Sequence, residues 1–255
     1  IIGSMPNERG VVSTCNYEAR KYGIRSGMNI KEAFNRCPKG IFRHPNFEKY
    51  KKVSERLHKI LESYTDVTEY IALDEGYLDL TEKVDSWEEA GKIGLEIKKR
   101  VREDLSLTCS VGLAYSKTAA KTASEEKKPD GYFEIRTRED FVTLVLDRNV
   151  KSLYTVGEKT AERLHLYGVD TVRDLQNKSN EVKMFMGKQG EYLVDLAFGY
   201  DDRKVIPYRE EDTKSISKEF TFQKDVSSFK LLDDVLFILS FRVAGRAKRL
   251  GLYGE

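Results

Sequence analysis

Several things are scarce in this chain, and each scarcity narrows what it is. Only three cysteines, Cys15, Cys37 and Cys109, occur in 255 residues, far apart and without metal-ligand spacing. They exclude a disulfide framework and read as the reduced thiols of a cytosolic protein. No apolar run reaches membrane-spanning length, because Lys230, Asp233 and Asp234 interrupt the one near the C-terminus. Neither sign of charge prevails, and the formal net charge of +2 selects no partner, since nucleic-acid binding depends on clustering rather than on the sum. What remains, 40% hydrophobic and 34% charged residues, is a soluble globular protein large enough for two small domains or more. The opening Ile1-Ile2-Gly3 reads as the end of a strand whose beginning is absent.

The most informative stretch is Glu69-Tyr70-Ile71-Ala72-Leu73-Asp74-Glu75-Gly76-Tyr77-Leu78-Asp79-Leu80. Two short apolar runs flank Asp-Glu-Gly, a pattern that predicts a β-hairpin with Gly76 supplying a positive φ in the turn. Two adjacent carboxylates at a hairpin tip repel one another, and a divalent cation held by oxygen ligands would neutralise them. The bland reading is an acidic, solvated turn.

Around the hairpin, Val11 to Thr14 reads as a short strand and Asn16 to Gly23 as a short polar helix. Phe47, Tyr50, Val53, Leu57, Ile60, Leu61 and Tyr64 recur at helical spacing. Ser86-Trp87-Glu88-Glu89 has the form of a capping box and opens a helix with Trp87, Ala90, Ile93, Ile97 and Val101 on one face. Leu107 to Tyr115 reads as a buried strand, Ser116 as the cap of an Ala-rich helix, Pro129-Asp130-Gly131 as a turn, and Tyr132 to Ile135 as a strand. This order is close to a ferredoxin-like fold lacking its first strand.

Beyond Asn149 come short helices with Gly breaks, centred on Val156-Gly157-Glu158-Lys159-Thr160. A Gly that lets backbone amides approach a phosphate, followed by a helix N-terminus, is how a helix-hairpin-helix grips a nucleic-acid backbone without reading sequence; an ordinary helical turn is the alternative. Arg203 to Lys214 reads as a linker, Ser215 to Thr221 as a strand, and Ser228 to Leu250 as a strongly apolar helix. Arg242, Arg246, Lys248 and Arg249 gather toward its end, where cations complement the helix dipole; a phosphate-facing edge is the alternative.

Four segments in this order resemble a Y-family translesion DNA polymerase of the DNA polymerase IV type over nearly the whole chain. They are Thr14-Cys15-Asn16-Tyr17-Glu18-Ala19-Arg20-Lys21-Tyr22-Gly23, the Leu73 to Asp79 tip, Ser110-Val111-Gly112-Leu113-Ala114 with Lys117 and Lys121, and Lys127-Lys128-Pro129-Asp130-Gly131. The resemblance implies an α+β multidomain fold: small fingers over residues 1–45, a ferredoxin-like palm over 46–136, a helical helix-hairpin-helix thumb over 137–202, a linker over 203–212 and the start of an α+β little finger over 213–255.

It also implies a DNA polymerase that adds deoxynucleotides to a primer 3′ end. Asp74 and Glu75 would be catalytic and hold two Mg²⁺ ions, with Mn²⁺ as a substitute, about 3.5–4 Å apart. Thr14, Tyr17, Arg20, Lys121 and Lys128 would bind the incoming triphosphate; Lys117 and Lys121 share a helix face and could approach either the triphosphate or the active-site carboxylates, with Lys121 the favoured of the two. Gly157, Lys159, Thr160, Lys214 and Ser215 would contact DNA. The implied partners are primer–template DNA and deoxynucleoside triphosphates, with a sliding clamp bound through sequence outside this chain, in a bacterial-type, nucleoid-associated cytoplasmic protein. Ala72, Gly76 and Ser116 depart from the family's usual Ser, Ala and Asn, and Tyr154-Thr155 stands where a Pro-Gly is usual. The first palm strand, with a further metal-binding Asp, lies outside the chain, so the chain alone is expected to extend primers poorly. A catalytically silent relative serving as a replication-fork adaptor is the runner-up; a nucleotide cyclase on a similar palm gives no reason for the thumb.

Overall fold

The protein is described by a computed structural model over residues 1–207 and 215–253. It divides into two compact units, Ile1–Tyr50 with Arg209–Glu255, and Lys51–Tyr208.

In the first unit, β1 (Ile2–Gly3) and β2 (Val12–Thr14) pair antiparallel, with Ile2 opposite Thr14. Helix α1 (Tyr17–Arg20) starts where the Asn16 side chain accepts the Ala19 N–H, and α2 (Ile30–Arg36) starts where Asn29 accepts the Lys31 N–H. These caps satisfy amides that a short helix leaves without partners. Val12, Cys15, Ala19, Ile24, Ile30 and Ala33 form the core beneath them. All three cysteines are free thiols. The helix predicted near the C-terminus is α11 (Phe229–Arg249), capped by Ser228, and none of its residues is buried. Ser215 to Thr221 is not a strand, because no described residue offers it a ladder. Extended backbone needs a hydrogen-bonding neighbour to count as sheet.

The second unit begins with α3 (Phe47–Glu62), whose first turn falls in the other unit's sequence range. Strands β3 (Thr68–Tyr70) and β4 (Gly76–Leu78) form the expected antiparallel hairpin. Gly76 does not make the turn. It is a strand residue opposite Tyr70, with no positive φ, and the reversal is made by residues 71–75. Helix α4 (Trp87–Leu105) is capped by Ser86 as predicted, but the box does not close, since Glu89 accepts the Asp85 N–H instead of the Ser86 N–H. Ile60, Leu61, Ile97 and Val101 pack α3 against α4, with Tyr70 and Leu78 of the hairpin beside them.

Strand β5 (Val111–Ala114) is shorter and less buried than the sequence predicts. Ser106, at φ 55°, ends α4 in a left-handed cap, and Lys98 donates to the Cys109 carbonyl, so Leu107 to Ser110 stay outside any ladder before pairing starts. Strand β5 runs parallel to β6 (Tyr132–Ile135), connected through α5 (Lys117–Glu126). Gly112 permits this crossover: a Cβ there would lie 2.2 Å from the Ala120 carbonyl oxygen. The two strand pairs are not bonded to each other; β4 and β5 line a cavity of about 620 Å³.

Helices α6 (Arg138–Val145), α7 (Glu158–His165), α8 (Val172–Asn177), α9 (Ser179–Met186) and α10 (Lys188–Ala197) complete the unit. One core joins them to the preceding elements, running from Ala119, Ala123 and Ile135 through Phe141 and Leu164 to Leu193. Thr155 has φ 78° just before α7, so the tight turn there is made by a β-branched residue in a region glycine prefers. No described helix is long and apolar enough to cross a membrane.

Candidate active site

The five-residue loop between β3 and β4 carries both acids. The Ile71 and Ala72 amides donate to the Glu75 carbonyl at 2.9 and 3.3 Å, closing the loop on itself. Asp74 and Glu75 are exposed, as is the rest of the loop. Glu75 Oε1 accepts from Lys121 Nζ at 2.8 Å, Lys121 lies 3.3 Å from Glu125, and Glu125 accepts from Lys128 Nζ at 2.6 Å. Acid and base alternate along this row. Burial opposes charge on Lys121, but hydrogen bonding and attraction to Glu75 and Glu125 outweigh it and raise its pKa. Burial likewise opposes charge on Glu125, and Lys128 and Lys121 hold its pKa low.

Lys117, one turn before Lys121, takes a different partner. Its ammonium meets both Glu69 oxygens at 2.6 Å, and Glu69 also accepts the Ile206 N–H at 2.8 Å. Of the two lysines, Lys121 alone reaches the acidic loop among the described residues.

Asp74 makes no hydrogen bond or ion pair among the described residues, and Glu75 is met by an ammonium. Two hard carboxylates, one free and one neutralised by a displaceable cation, suit Mg²⁺ as part of an oxygen ligand set. No group of three or more metal-ligating side chains occurs among the described residues.

In the first unit, Thr14 ends β2 and is exposed, Tyr17 is half-exposed, and the Arg20 guanidinium lies 5.8 Å from the centre of the Tyr17 ring. That contact follows from their i, i+3 spacing on α1. Gly157 is the N-cap of α7, with open space where a Cβ would stand; Lys159 is exposed and Thr160 half-buried. Ser215 is exposed, and Lys214 lies outside the described residues.

Sequence reasoning missed Glu125, although its i, i+4 spacing from Lys121 is a readable signal. It also missed Asp201 and Arg203. The Asp201 carboxylate accepts the Thr118 N–H at 2.8 Å, and Arg203 Nη2 donates to Asp201 and to Thr118 Oγ1 at 2.9 and 3.0 Å, tying the segment after α10 to the start of α5. Arg203 also lies over the rings of Tyr154 and Tyr192. Nothing local in the sequence marks these long-range ties.

An acidic loop on a hairpin, with a lysine-bearing helix beside it, brings two carboxylates and the ammonium groups of Lys121 and Lys128 into one row in the second unit. Residues 1–125 match the model of the impB/mucB/samB family. The chain is 38% identical over 256 residues to DNA polymerase IV of Listeria monocytogenes serotype 4b, covering all of this chain and 71% of that protein. It is 39% identical over 245 residues to DNA polymerase IV of Clostridium perfringens strain 13, covering 96% and 67%. The crystal structure of DinB from Sulfolobus solfataricus superposes with a TM-score of 0.73 at 30% identity, over 80% of this chain and 61% of that one. An insertion ternary complex of Dbh DNA polymerase superposes with a TM-score of 0.72 at 30% identity, with the same coverage. The chain therefore belongs to the Y family of translesion DNA polymerases, in its DNA polymerase IV branch. It spans 71% of the Listeria protein and 61% of the Sulfolobus chain.

Proposed function

We propose that the polypeptide is a template-directed DNA polymerase of the translesion type, with the Asp74–Glu75 loop as its metal site. The observation that carries the reading is the row Glu75–Lys121–Glu125–Lys128 beside Asp74, which has no partner among the described residues. Asp74 and Glu75 would hold Mg²⁺, with Mn²⁺ as a substitute. When bound, two such ions lower the pKa of a primer 3′-hydroxyl and stabilise the charge on departing pyrophosphate. Lys121 screens the Glu75 charge, a role that a bound cation would relieve. Lys128 leaves Glu125 to meet phosphate oxygens, and Tyr17, Arg20 and Thr14 contact the sugar and triphosphate.

The domain reading remains fingers over residues 1–45, palm over 46–136, thumb over 137–202, linker over 203–212 and the start of the little finger over 213–255. The palm is ferredoxin-like, and the cavity between β4 and β5 has the lining of two unpaired strand edges that one further strand would join. The thumb grips the DNA backbone as a helix-hairpin-helix through Gly157, Lys159 and Thr160, with Lys214 and Ser215 adding contacts. Its partners are primer–template DNA, deoxynucleoside triphosphates and a sliding clamp, in a nucleoid-associated cytoplasmic setting.

The test is primer extension with Mg²⁺ by a protein of the relatives' full length, on intact and lesion-bearing templates. Extension on both supports the reading. Tight primer–template binding with no extension under any divalent metal overturns it in favour of a silent adaptor.

A further inference from the structure

The acidic loop is held from behind as well as by its own amides. Ser54 of α3 is 4% exposed, and its hydroxyl donates to the Leu73 carbonyl at 2.6 Å. Ser54 Oγ also lies 3.2 Å from His58 Nε2, one helical turn on. A serine hydroxyl has a single proton, and here it is committed to the carbonyl. The contact with His58 therefore requires Nε2–H to donate to Ser54 Oγ. That fixes which way the hydroxyl points.

His58 is itself fixed. Its ring stacks on Tyr70, the last residue of β3, with centroids 3.5 Å apart and planes within 13°. Tyr70 in turn donates its hydroxyl to Glu62 Oε1 at 2.8 Å. Burial lowers the His58 pKa against the opposing pull of Glu62 and Glu55, which favours the neutral ring.

The Leu73 carbonyl belongs to the peptide that joins Leu73 to Asp74, and the Glu75 carbonyl is fixed by Ile71 and Ala72. Asp74 is thus bracketed by two anchored carbonyls while its own side chain has no protein partner among the described residues. We infer that Ser54, oriented by His58, is a positioning residue that sets the Asp74 backbone so that its carboxylate is presented to a divalent cation. This rests on the reading of Asp74 as a metal ligand.

Asp74 does not touch Ser54, so the effect passes through one peptide plane. A well-oriented ligand costs a cation less reorganisation on binding than a mobile one. Removing the hydroxyl should loosen the loop and weaken metal binding without disturbing contacts to DNA.

The experiment compares Ser54→Ala, Ser54→Thr and His58→Phe with the parent in the full-length protein. The readouts are Mn²⁺ binding followed by electron paramagnetic resonance, hydrogen exchange at the Ile71 and Ala72 amides, thermal unfolding, and single-nucleotide incorporation. Ser54→Ala should weaken Mn²⁺ binding about 3- to 10-fold, speed exchange at both amides and lower kcat about tenfold, with KM for the nucleotide and Kd for DNA within about twofold. Ser54→Thr, which keeps the hydroxyl, should recover most of the loss. His58→Phe, which keeps the stack but not the N–H, should fall between; if Ser54→Ala does not fold, this variant carries the test. Combining Ser54→Ala with His58→Phe should add nothing to Ser54→Ala alone, because both act through one carbonyl. Unchanged Mn²⁺ affinity and unchanged exchange in Ser54→Ala or His58→Phe overturn the inference, even with lowered thermal stability. A parent protein that binds Mn²⁺ but extends no primer fails the polymerase reading and leaves the Mn²⁺ comparison to decide this one.

Discussion

Lys121 Nζ and Glu75 Oε1 lie 2.8 Å apart although 46 residues separate them in sequence. The contact exists because Gly112 lets β5 lie against the backbone of α5, which brings Lys121 to the loop between β3 and β4. If the Asp74–Glu75 pair holds a metal as proposed, an ammonium beside one of its acids balances charge when no cation is present and competes with a cation that arrives.

Lys121→Met should therefore act in opposite directions on two ligands. Removing the ammonium should lower the Mg²⁺ concentration needed for half-maximal activity, while KM for the nucleotide rises about tenfold, or about 1.4 kcal/mol. Steady-state kinetics with each ligand varied separately check this. A loss of both affinities would contradict the competition.

Asp201 offers a stability test with a defined pH signature. Burial would raise its pKa, but hydrogen bonds from Arg203 and Thr118 hold it at about 2. A carboxylate whose folded pKa lies below the unfolded value of about 3.9 stabilises the protein above that value, and loses the contribution as pH falls from about 4 toward 2. Asp201→Asn should cost about 1–2 kcal/mol at pH 7 after allowing for solvent screening at the segment's edge. Denaturant unfolding at pH 7 and pH 3 should show the difference from the parent shrinking in acid.

Thr155 should respond in the other direction. Its φ of 78° strains a β-branched residue, and glycine relieves the strain at some entropic cost in the unfolded chain. Thr155→Gly should stabilise by about 0.5–1 kcal/mol in denaturant unfolding. A destabilised variant would mean that the Thr155 side chain holds the turn.

Lys159 is exposed at the start of α7 and has no ion-pair partner among the described residues. Lys159→Glu should weaken binding to all primer–template sequences alike and make the log–log salt slope shallower by about 1. A loss confined to particular sequences would contradict a backbone-gripping role.

Much of this was legible in the sequence, for physical reasons. The hairpin, the caps at Asn16, Ser86 and Ser116, and the helical stripe of α3 are set by residues close together in the chain. Gly76 misled because glycine next to an acidic pair signals a turn, whereas here the longer loop reverses the chain and Gly76 packs under Tyr70. Ser215 to Thr221 misled because alternation describes which way side chains point, and a strand also needs a neighbour. That Asp74, Glu75, Lys117 and Lys121 stand apart from the rest of the chain was legible. Their partition was not, since Lys117 and Lys121 sit on one helix face and the fold decides which acid each meets.

The central claim, that the Asp74–Glu75 loop is a metal-dependent nucleotidyl-transfer site, is tested most directly by Glu75→Gln in a protein of the relatives' full length. The neutral amide keeps the shape of the side chain but neither balances a cation's charge nor holds it as a carboxylate does. The account predicts that Mg²⁺-dependent primer extension falls at least ~10²-fold while Kd for primer–template DNA stays within about twofold. Extension at the parental rate by Glu75→Gln would contradict it.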